Sequence, residues 1–166
     1  MRKIKNLVVH HSLGPRGDGD FIMDLHTKSP GGPRWKYPGY HVVITNGYHT
    51  YNQWRNRKPE APRVDRILSE ATPANGCKYA NANSLHVCLI GDFDKDEPTA
   101  WQKKKLADLL AHWCRAHGLS PKDIYGHGEM QKKIGREGYQ KSCPGKNVYM
   151  DGVRFNVAQM VRRSSK

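Results

Sequence analysis

Residues 85–90, Leu-His-Val-Cys-Leu-Ile, decide the fold predicted for this chain. The run is apolar and has the length of a strand, so we predict that it forms a buried central strand. Residues 99–102 then form a Thr-x-x-Gln capping box, which marks the start of a helix. Leucines and a tryptophan recur at helical spacing as far as Gly118, where the helix is predicted to end.

Two further strands are predicted on the amino-terminal side of this run. The first is the β-branched run at residues 7–9, which a polar turn follows, and the second covers residues 40–45. Asn46-Gly47 is the strongest hairpin signal in the chain, so a returning strand is expected over residues 48–51. Between these strands we predict a helix over 20–28 and a loop over 29–38, because the loop segment holds three prolines and two glycines.

The remaining segments complete an α/β domain. Residues 54–83 are polar and predict a long excursion over the surface, and Ser120-Pro121 predicts a short helical turn before residues 124–127. Apolar spacing predicts a closing helix over 153–162, which leads into a basic tail at 162–166. The chain of 166 residues is therefore expected to be one domain, residues 1–166, with a central mixed β-sheet flanked by helices.

Two histidines and one cysteine are the candidate metal ligands. His10 follows the first strand, His127 follows Tyr125-Gly126, and Cys143 lies in the run Lys-Ser-Cys-Pro-Gly at 141–145. Three protein ligands that leave a fourth position to water are typical of catalytic zinc, whereas closed structural sites use four ligands at short spacings. The chain has no CxxC pair, and the alternative is that these are packed histidines and a buried structural thiol.

The other cysteines do not indicate a disulfide framework, because four cysteines in all are few and scattered. Cys88 falls in the predicted central strand and Cys114 in the predicted long helix, where a free thiol behaves as a small hydrophobic group. Both are expected in the core. Cys77 lies in a polar loop, and the sequence indicates no role for it.

In the order of its motifs, the chain resembles the type 2 zinc-dependent N-acetylmuramoyl-L-alanine amidases. That family includes short phage lysozyme-amidases and peptidoglycan recognition proteins, and the resemblance covers nearly the whole chain. Any one motif alone is weak, but five of them in the family's order are hard to obtain by chance. They lie at residues 8–12, 39–41, 81–91, 126–127 and 141–144.

The resemblance implies a site with one Zn²⁺ per chain, held by His10, His127 and Cys143. It implies two catalytic residues as well. Lys141 would stabilise the oxyanion of the tetrahedral intermediate, and the Tyr40 hydroxyl would bind the attacking water or pass on its proton. From composition alone, Lys141 would be one more exposed lysine and Tyr40 a strand tyrosine with a buried ring.

One further position matches the family, and three departures limit what the resemblance implies. His26 matches a family position, and we expect it to support the site or pack in the core rather than to bind metal. Residues 74–78 lack the histidine that the family often has in this loop, and 128–140 is longer than usual, so we predict an inserted surface loop there. His86 stands where relatives often carry glycine. No constellation surrounds the remaining histidines, which are expected to be structural or exposed: His41, His49, His86, His112 and His117.

The net charge predicts an anionic partner. The chain has 28 Lys and Arg against 15 Asp and Glu, which gives +13. Nucleic acid is the usual partner of such a charge, but no RRM, KH or zinc-finger pattern is present, so attraction to an anionic cell-envelope surface ranks higher. The alternative is that the positive charge is spread evenly over a soluble protein and has no specific partner.

The resemblance implies hydrolysis of the amide bond between N-acetylmuramic acid and L-alanine in bacterial peptidoglycan. The small size and the charge of the chain suggest a phage or prophage endolysin. No apolar stretch has membrane-spanning length and the N-terminus lacks a signal-peptide core, so we expect synthesis in the host cytoplasm without an export signal. The protein is also expected to be a monomer. It would reach the cell wall after another protein opens the membrane. The alternatives are a non-catalytic peptidoglycan-binding module and a basic protein that binds nucleic acid or a polymerase.

Overall fold

The computed structural model describes residues 2–136 and 141–163. Its elements run in the order β1 Asn6–His11, α1 Gly19–Thr27, β2 Val42–Ile44, α2 Tyr51–Arg55, β3 Val64–Arg66, β4 Ser84–Leu89, α3 Ala100–His117, β5 Ile124–Gly126, α4 His127–Lys133 and α5 Met150–Arg163. Short 3-10 helices at Asn81–Asn83 and Pro121–Asp123 precede β4 and β5. The predicted mixed α/β architecture is confirmed.

The five strands form one sheet in the order β3-β2-β4-β1-β5. Strands β2, β4, β1 and β5 run parallel to one another, whereas β3 pairs with β2 in the antiparallel direction. Strand β4 lies in the centre, as its apolar sequence predicts, and all six of its residues are buried. Parallel strands end at the same edge of a sheet, so the residues that follow β1 and β5 lie close together at that edge.

The two faces of the sheet are covered differently. Alternate residues of β1 and β4, such as Leu7, Val9 and Val87, pack with α3 and α5 in the main hydrophobic core, where Trp113 is fully buried. On the other face, Val8 packs with Met130 of α4, and Val43 packs with Ile22 of α1. That second face is less apolar, and it carries the histidines described below.

Helix α3 begins and ends where the sequence predicts. Thr99 Oγ1 accepts a hydrogen bond from the Gln102 backbone N–H, and Gln102 Oε1 accepts one from the Thr99 N–H, both at 3.1 Å. Gly118 ends the helix in the left-handed region, at φ 64°. Gln102 is buried, and its Nε2 also donates to the carbonyls of Ile44 and Ile90 at 3.2 and 2.9 Å, which fastens the start of α3 to β2 and β4.

The predicted hairpin after Asn46-Gly47 is wrong. The chain turns there, but residues 51–55 form α2, because Thr50 and Gln53 make a second capping box whose Thr50 Oγ1 accepts from the Gln53 N–H at 3.3 Å. The antiparallel partner of β2 is instead β3, which lies within the polar segment predicted to be a surface excursion. The capping box is a local signal that outweighs the alternating tyrosines.

The segment predicted as an inserted loop at 128–140 is partly helical. Helix α4 covers His127–Lys133, and Glu129 Oε2 accepts from the Gly126 N–H at 2.8 Å at its start. Residues 137–140 lie outside the described residues, as do residues 164–166 of the predicted basic tail. The closing helix α5 begins at Met150, three residues before its predicted start.

In the part of the chain that the structure covers, we find no helix with both the length and the apolar character needed to cross a bilayer.

Candidate metal centre and catalytic cleft

Strand pairing brings His10 and His127 together. Val9 of β1 pairs with Gly126 of β5, so the residues that follow each of them are neighbours at the carboxyl edge of the sheet. The ring centroids of His10 and His127 lie 4.7 Å apart. His10 is buried, whereas His127, the first residue of α4, is half-buried.

The segment after α4 carries Cys143 back to this pair. The Gly128 N–H donates to the Cys143 carbonyl at 2.8 Å, and Cys143 Sγ lies 3.8 Å from His10 Nδ1. One ligand atom from each of His10, His127 and Cys143 lies within 4.8 Å of the others. The structure therefore brings together the three side chains that the sequence predicts as metal ligands.

The loop that follows β4 holds the Cys143 segment in place. Asp94 accepts hydrogen bonds from the Ser142 hydroxyl and from the Lys146 backbone N–H, the second at 3.0 Å. Gly145 has φ 104°, and a Cβ there would lie 2.6 Å from the backbone of Phe93. Glycine at this position therefore permits the two loops to lie in contact.

The electrostatics of the three side chains fit a divalent metal such as zinc. Burial lowers the pKa of His10 well below its ordinary value, and burial followed by the Lys141 charge lowers the pKa of His127 to about 4. Both imidazoles are therefore neutral at pH 7, as metal ligands must be. Burial raises the pKa of Cys143 to about 12, and ligation by a cation would favour its thiolate form. Two nitrogens and one sulfur make a three-ligand set of the catalytic type.

Two buried polar side chains lie behind the histidines. His10 Nε2 is 3.0 Å from His86 Nδ1, and Gln131 Nε2 is 3.1 Å from His127 Nε2 and 3.2 Å from Cys77 Sγ. No sequence pattern marks His86 or Gln131 as part of the site. Cys77, predicted to lie in a polar loop without a role, is buried. Cys88 and Cys114 are buried, as predicted.

Unpartnered buried atoms cluster around this site. Within the described residues, three buried side-chain atoms have no hydrogen-bond partner, namely His11 Nε2, His86 Nε2 and Gln131 Oε1. Each such atom typically costs about 1–3 kcal/mol. His11 lies on the other face of β1 from His10, where its Nδ1 accepts from the Phe93 N–H at 3.1 Å.

Tyr40 and His26 form one side of the site. The Tyr40 ring lies 4.9 Å from the His10 ring and 5.2 Å from the His26 ring. His26 Nδ1 accepts a hydrogen bond from the Gly39 N–H at 3.0 Å, so His26 supports the chain next to Tyr40. It is not among the three clustered ligands.

An open cleft of about 460 Å³ lies above the cluster. Lys141 is exposed at this cleft, two residues before Cys143. The cleft thus holds all of the predicted catalytic residues together with the exposed parts of two predicted ligands. Its lining includes Tyr40, Asp94, His127, Lys141, Ser142 and Cys143.

Solved structures with this fold include amidases and recognition proteins. The N-acetylmuramoyl-L-alanine amidase LysC from Clostridium intestinale URNW is 20% identical, with a TM-score of 0.71, over 94% of this chain and 86% of that chain. The endolysin of Thermus scotoductus bacteriophage Ph2119 is 23% identical, with a TM-score of 0.65, over 95% and 86%. Drosophila PGRP-LB is 17% identical, with a TM-score of 0.64, over 91% and 80%. At these identities, the similarity shows the fold.

The sequence itself matches a family model. No curated protein sequence matches the chain significantly. The family model described as N-acetylmuramoyl-L-alanine amidase matches residues 1–146, which is most of the chain and includes every residue of the candidate site. The chain therefore belongs to the N-acetylmuramoyl-L-alanine amidase family.

Proposed function

We propose that the protein is a zinc-dependent amidase that cleaves the bond between the lactyl group of N-acetylmuramic acid and L-alanine in peptidoglycan. The main support is the convergence of His10, His127 and Cys143, within 4.8 Å of one another, beside a cleft that also contains Tyr40 and Lys141. A non-catalytic recognition module would need the cleft but not this ligand set. Family membership supports the choice of bond.

His10, His127 and Cys143 would hold the zinc. When bound, zinc would supply Lewis acidity, which activates water near neutral pH and polarises the carbonyl under attack. Because burial keeps both imidazoles neutral, their lone pairs are available at the pH at which the enzyme would act. The hydrogen bonds that Asp94 accepts hold the Cys143 segment to the loop that follows β4.

Two side chains of the cleft would act on the substrate. The Tyr40 ring packs beside His10, so its hydroxyl can orient the attacking water or pass on its proton. Lys141 is fixed relative to Cys143 by two peptide units, and its ammonium group can stabilise the negative oxygen of the tetrahedral intermediate. Both groups act at the transition state, where such contacts raise the rate.

We also propose that the protein acts as a phage or prophage endolysin, made in the host cytoplasm and reaching the wall after the membrane is opened. The Ph2119 endolysin, which has the same fold, supports this role. The +13 charge would hold it on the anionic polymers of the cell envelope.

Metal analysis combined with an amidase assay tests the function. The purified protein should contain about one zinc per chain and release L-alanine amino groups from sacculi. Cys143→Ala should lose most of the zinc and the activity, because one of three ligands is removed. Cys114→Ala, which removes a buried thiol in α3, is the matched control and should keep both. A Cys143→Ala protein with full zinc content and full activity would refute the assignment.

A further inference from the structure

His86 lies on the same face of the sheet as His10. Residue Val8 of β1 pairs with His86 of β4, and His10 pairs with Cys88. Paired residues point to one face and side chains alternate along a strand, so the two histidines are neighbours across adjacent strands. Both rings are fully buried, with centroids 5.3 Å apart.

The two nitrogens of the His10 ring face different groups. Its Nδ1 lies 3.8 Å from Cys143 Sγ, towards the candidate metal, and its Nε2 lies 3.0 Å from His86 Nδ1. An imidazole that binds metal through Nδ1 keeps its proton on Nε2, and that N–H needs an acceptor. His86 Nδ1 is placed to accept it, in which case His86 carries its own proton on Nε2.

The surrounding residues hold the His86 ring in this orientation. Its backbone N–H donates to His41 Nδ1 at 3.0 Å, and the two rings stack with an interplanar angle of 12°. On another side is Gly76, where a Cβ would lie 2.7 Å from His86 Nδ1 and 2.4 Å from the Gly39 carbonyl oxygen. The glycine therefore leaves the room that the ring occupies.

The other ring nitrogen of His86, Nε2, is buried and makes no hydrogen bond within the described residues. An apolar side chain would fill the same space without burying an unpaired polar atom. Packing alone therefore does not explain an imidazole at this position, whereas the hydrogen bond with His10 does.

We propose that His86 is a positioning residue that fixes the tautomer and the ring orientation of His10 for metal binding. This inference rests on the proposed metal site. His86 would act through His10 alone, without touching the metal or the substrate. Partners of this kind, which accept the second ring N–H of a ligating histidine, typically contribute about 10–100-fold to metal affinity.

Zinc affinity of purified variants, measured by competition with a chromophoric chelator, tests the proposal. His86→Ala removes the acceptor and should lower zinc affinity about 10–100-fold. His86→Asn places Oδ1 near the position of Nδ1 and should recover most of that loss. His49→Ala is the control, because it removes another buried histidine whose hydrogen-bond partners are Thr45, Glu60 and Arg63, and it should bind zinc as the wild type does.

The outcomes separate the two proposals. Wild-type protein that binds no zinc would refute the metal site itself, and the role of His86 with it. Wild-type affinity in His86→Ala would overturn the role of His86 and leave the metal site intact. Long-range ¹H–¹⁵N NMR of the zinc-loaded wild type needs no variant. It should show His10 protonated on Nε2, and a proton on Nδ1 would overturn the inference even if His86→Ala fails to fold.

Discussion

Lys141 shows how a single exposed side chain can be tied to a site by its neighbours. It lies at the open cleft, and its charge contributes to the low pKa of His127, after the larger effect of burial. Its backbone is held through Ser142, whose hydroxyl donates to Asp94, and through Cys143, whose carbonyl accepts from Gly128. The chain is thus anchored directly after the residue, which favours a defined position for its ammonium group.

Replacing Lys141 by Ala should lower kcat about 10²–10³-fold, the usual loss when an oxyanion-stabilising donor is removed. Zinc content and apparent substrate affinity should change little, since the charge develops only in the transition state. Steady-state kinetics on a soluble muropeptide, with metal analysis of the same sample, measures both. Lys146→Ala, another exposed lysine of this loop, is the control. A loss below about fivefold would make Lys141 an ordinary surface lysine.

The candidate site was predictable where motifs mark it and unpredictable where packing creates it. Each of the three candidate ligands lies in a motif of the family, so the resemblance already predicts that they lie close together. These residues are His10, His127 and Cys143. The contact of His86 with His10 depends on the pairing of Val8 with His86, a register that no local pattern specifies. Gln131 was missed because its segment was predicted to be a loop, whereas it lies in α4.

Among the elements, α3 is joined to the sheet by the hydrogen bonds of Gln102 as well as by its apolar face. Gln102 completes the capping box with Thr99 and also donates to the carbonyls of Ile44 and Ile90. Ile44 is the last residue of β2, and Ile90 directly follows β4. The Ile90 N–H also donates to the Ile44 carbonyl at 3.0 Å, so the two ends are already joined where Gln102 binds them. The residue that starts the helix therefore also satisfies the backbone of the sheet.

Gln102→Ala should lower the free energy of unfolding by about 1–3 kcal/mol, since it removes part of a capping box and takes the Gln102 hydrogen bond from the Ile90 carbonyl. The Ile44 carbonyl keeps a partner, because it also accepts from the Ile90 N–H. Urea unfolding followed by circular dichroism measures the change. Lys104→Ala removes an exposed ion pair with Asp108 on the same helix and should cost less than about 0.5 kcal/mol. Equal stability of the two variants would contradict this account of Gln102.

Elements with strong local signals were predicted well. The capping box and the apolar spacing of α3, the apolar run of β4 and the periodicity of α5 all specify structure within a few neighbouring residues. Strand β3 is only three residues long, and none of its residues is buried, so it exists because β2 offers a pairing edge. A strand partner 20 residues away cannot be predicted from one valine and two charged residues that are all at least partly exposed.

At the scale of the whole molecule, the charge should determine where the protein acts rather than how. Lys141 lies at the cleft, Lys132 and Lys146 line a neighbouring pocket with it, and the net charge of the chain is +13. A charge of this size attracts anionic polymers over distances of about a Debye length, whereas the candidate site acts through direct contact.

Activity on whole sacculi should therefore fall as salt shortens the Debye length from about 10 Å at 0.1 M to about 3 Å at 1 M. Activity on a short soluble muropeptide should change much less, because only the polymer presents many charges to the protein. Parallel assays across this salt range make the comparison. Equal salt sensitivity on both substrates would count against envelope attraction and would favour a nucleic-acid or protein partner for the charge.

The outermost strands of the sheet, β3 and β5, have only three residues each. Long, flat edge strands expose unpaired backbone groups that can recruit another chain and nucleate amyloid-like assembly. Here the β3 edge is short and carries two charged residues, Asp65 and Arg66. The β5 edge stops at Gly126, and α4 begins at the next residue. The sheet thus offers little template for cross-β growth, which would allow the protein to accumulate to high concentration without aggregating through its strands.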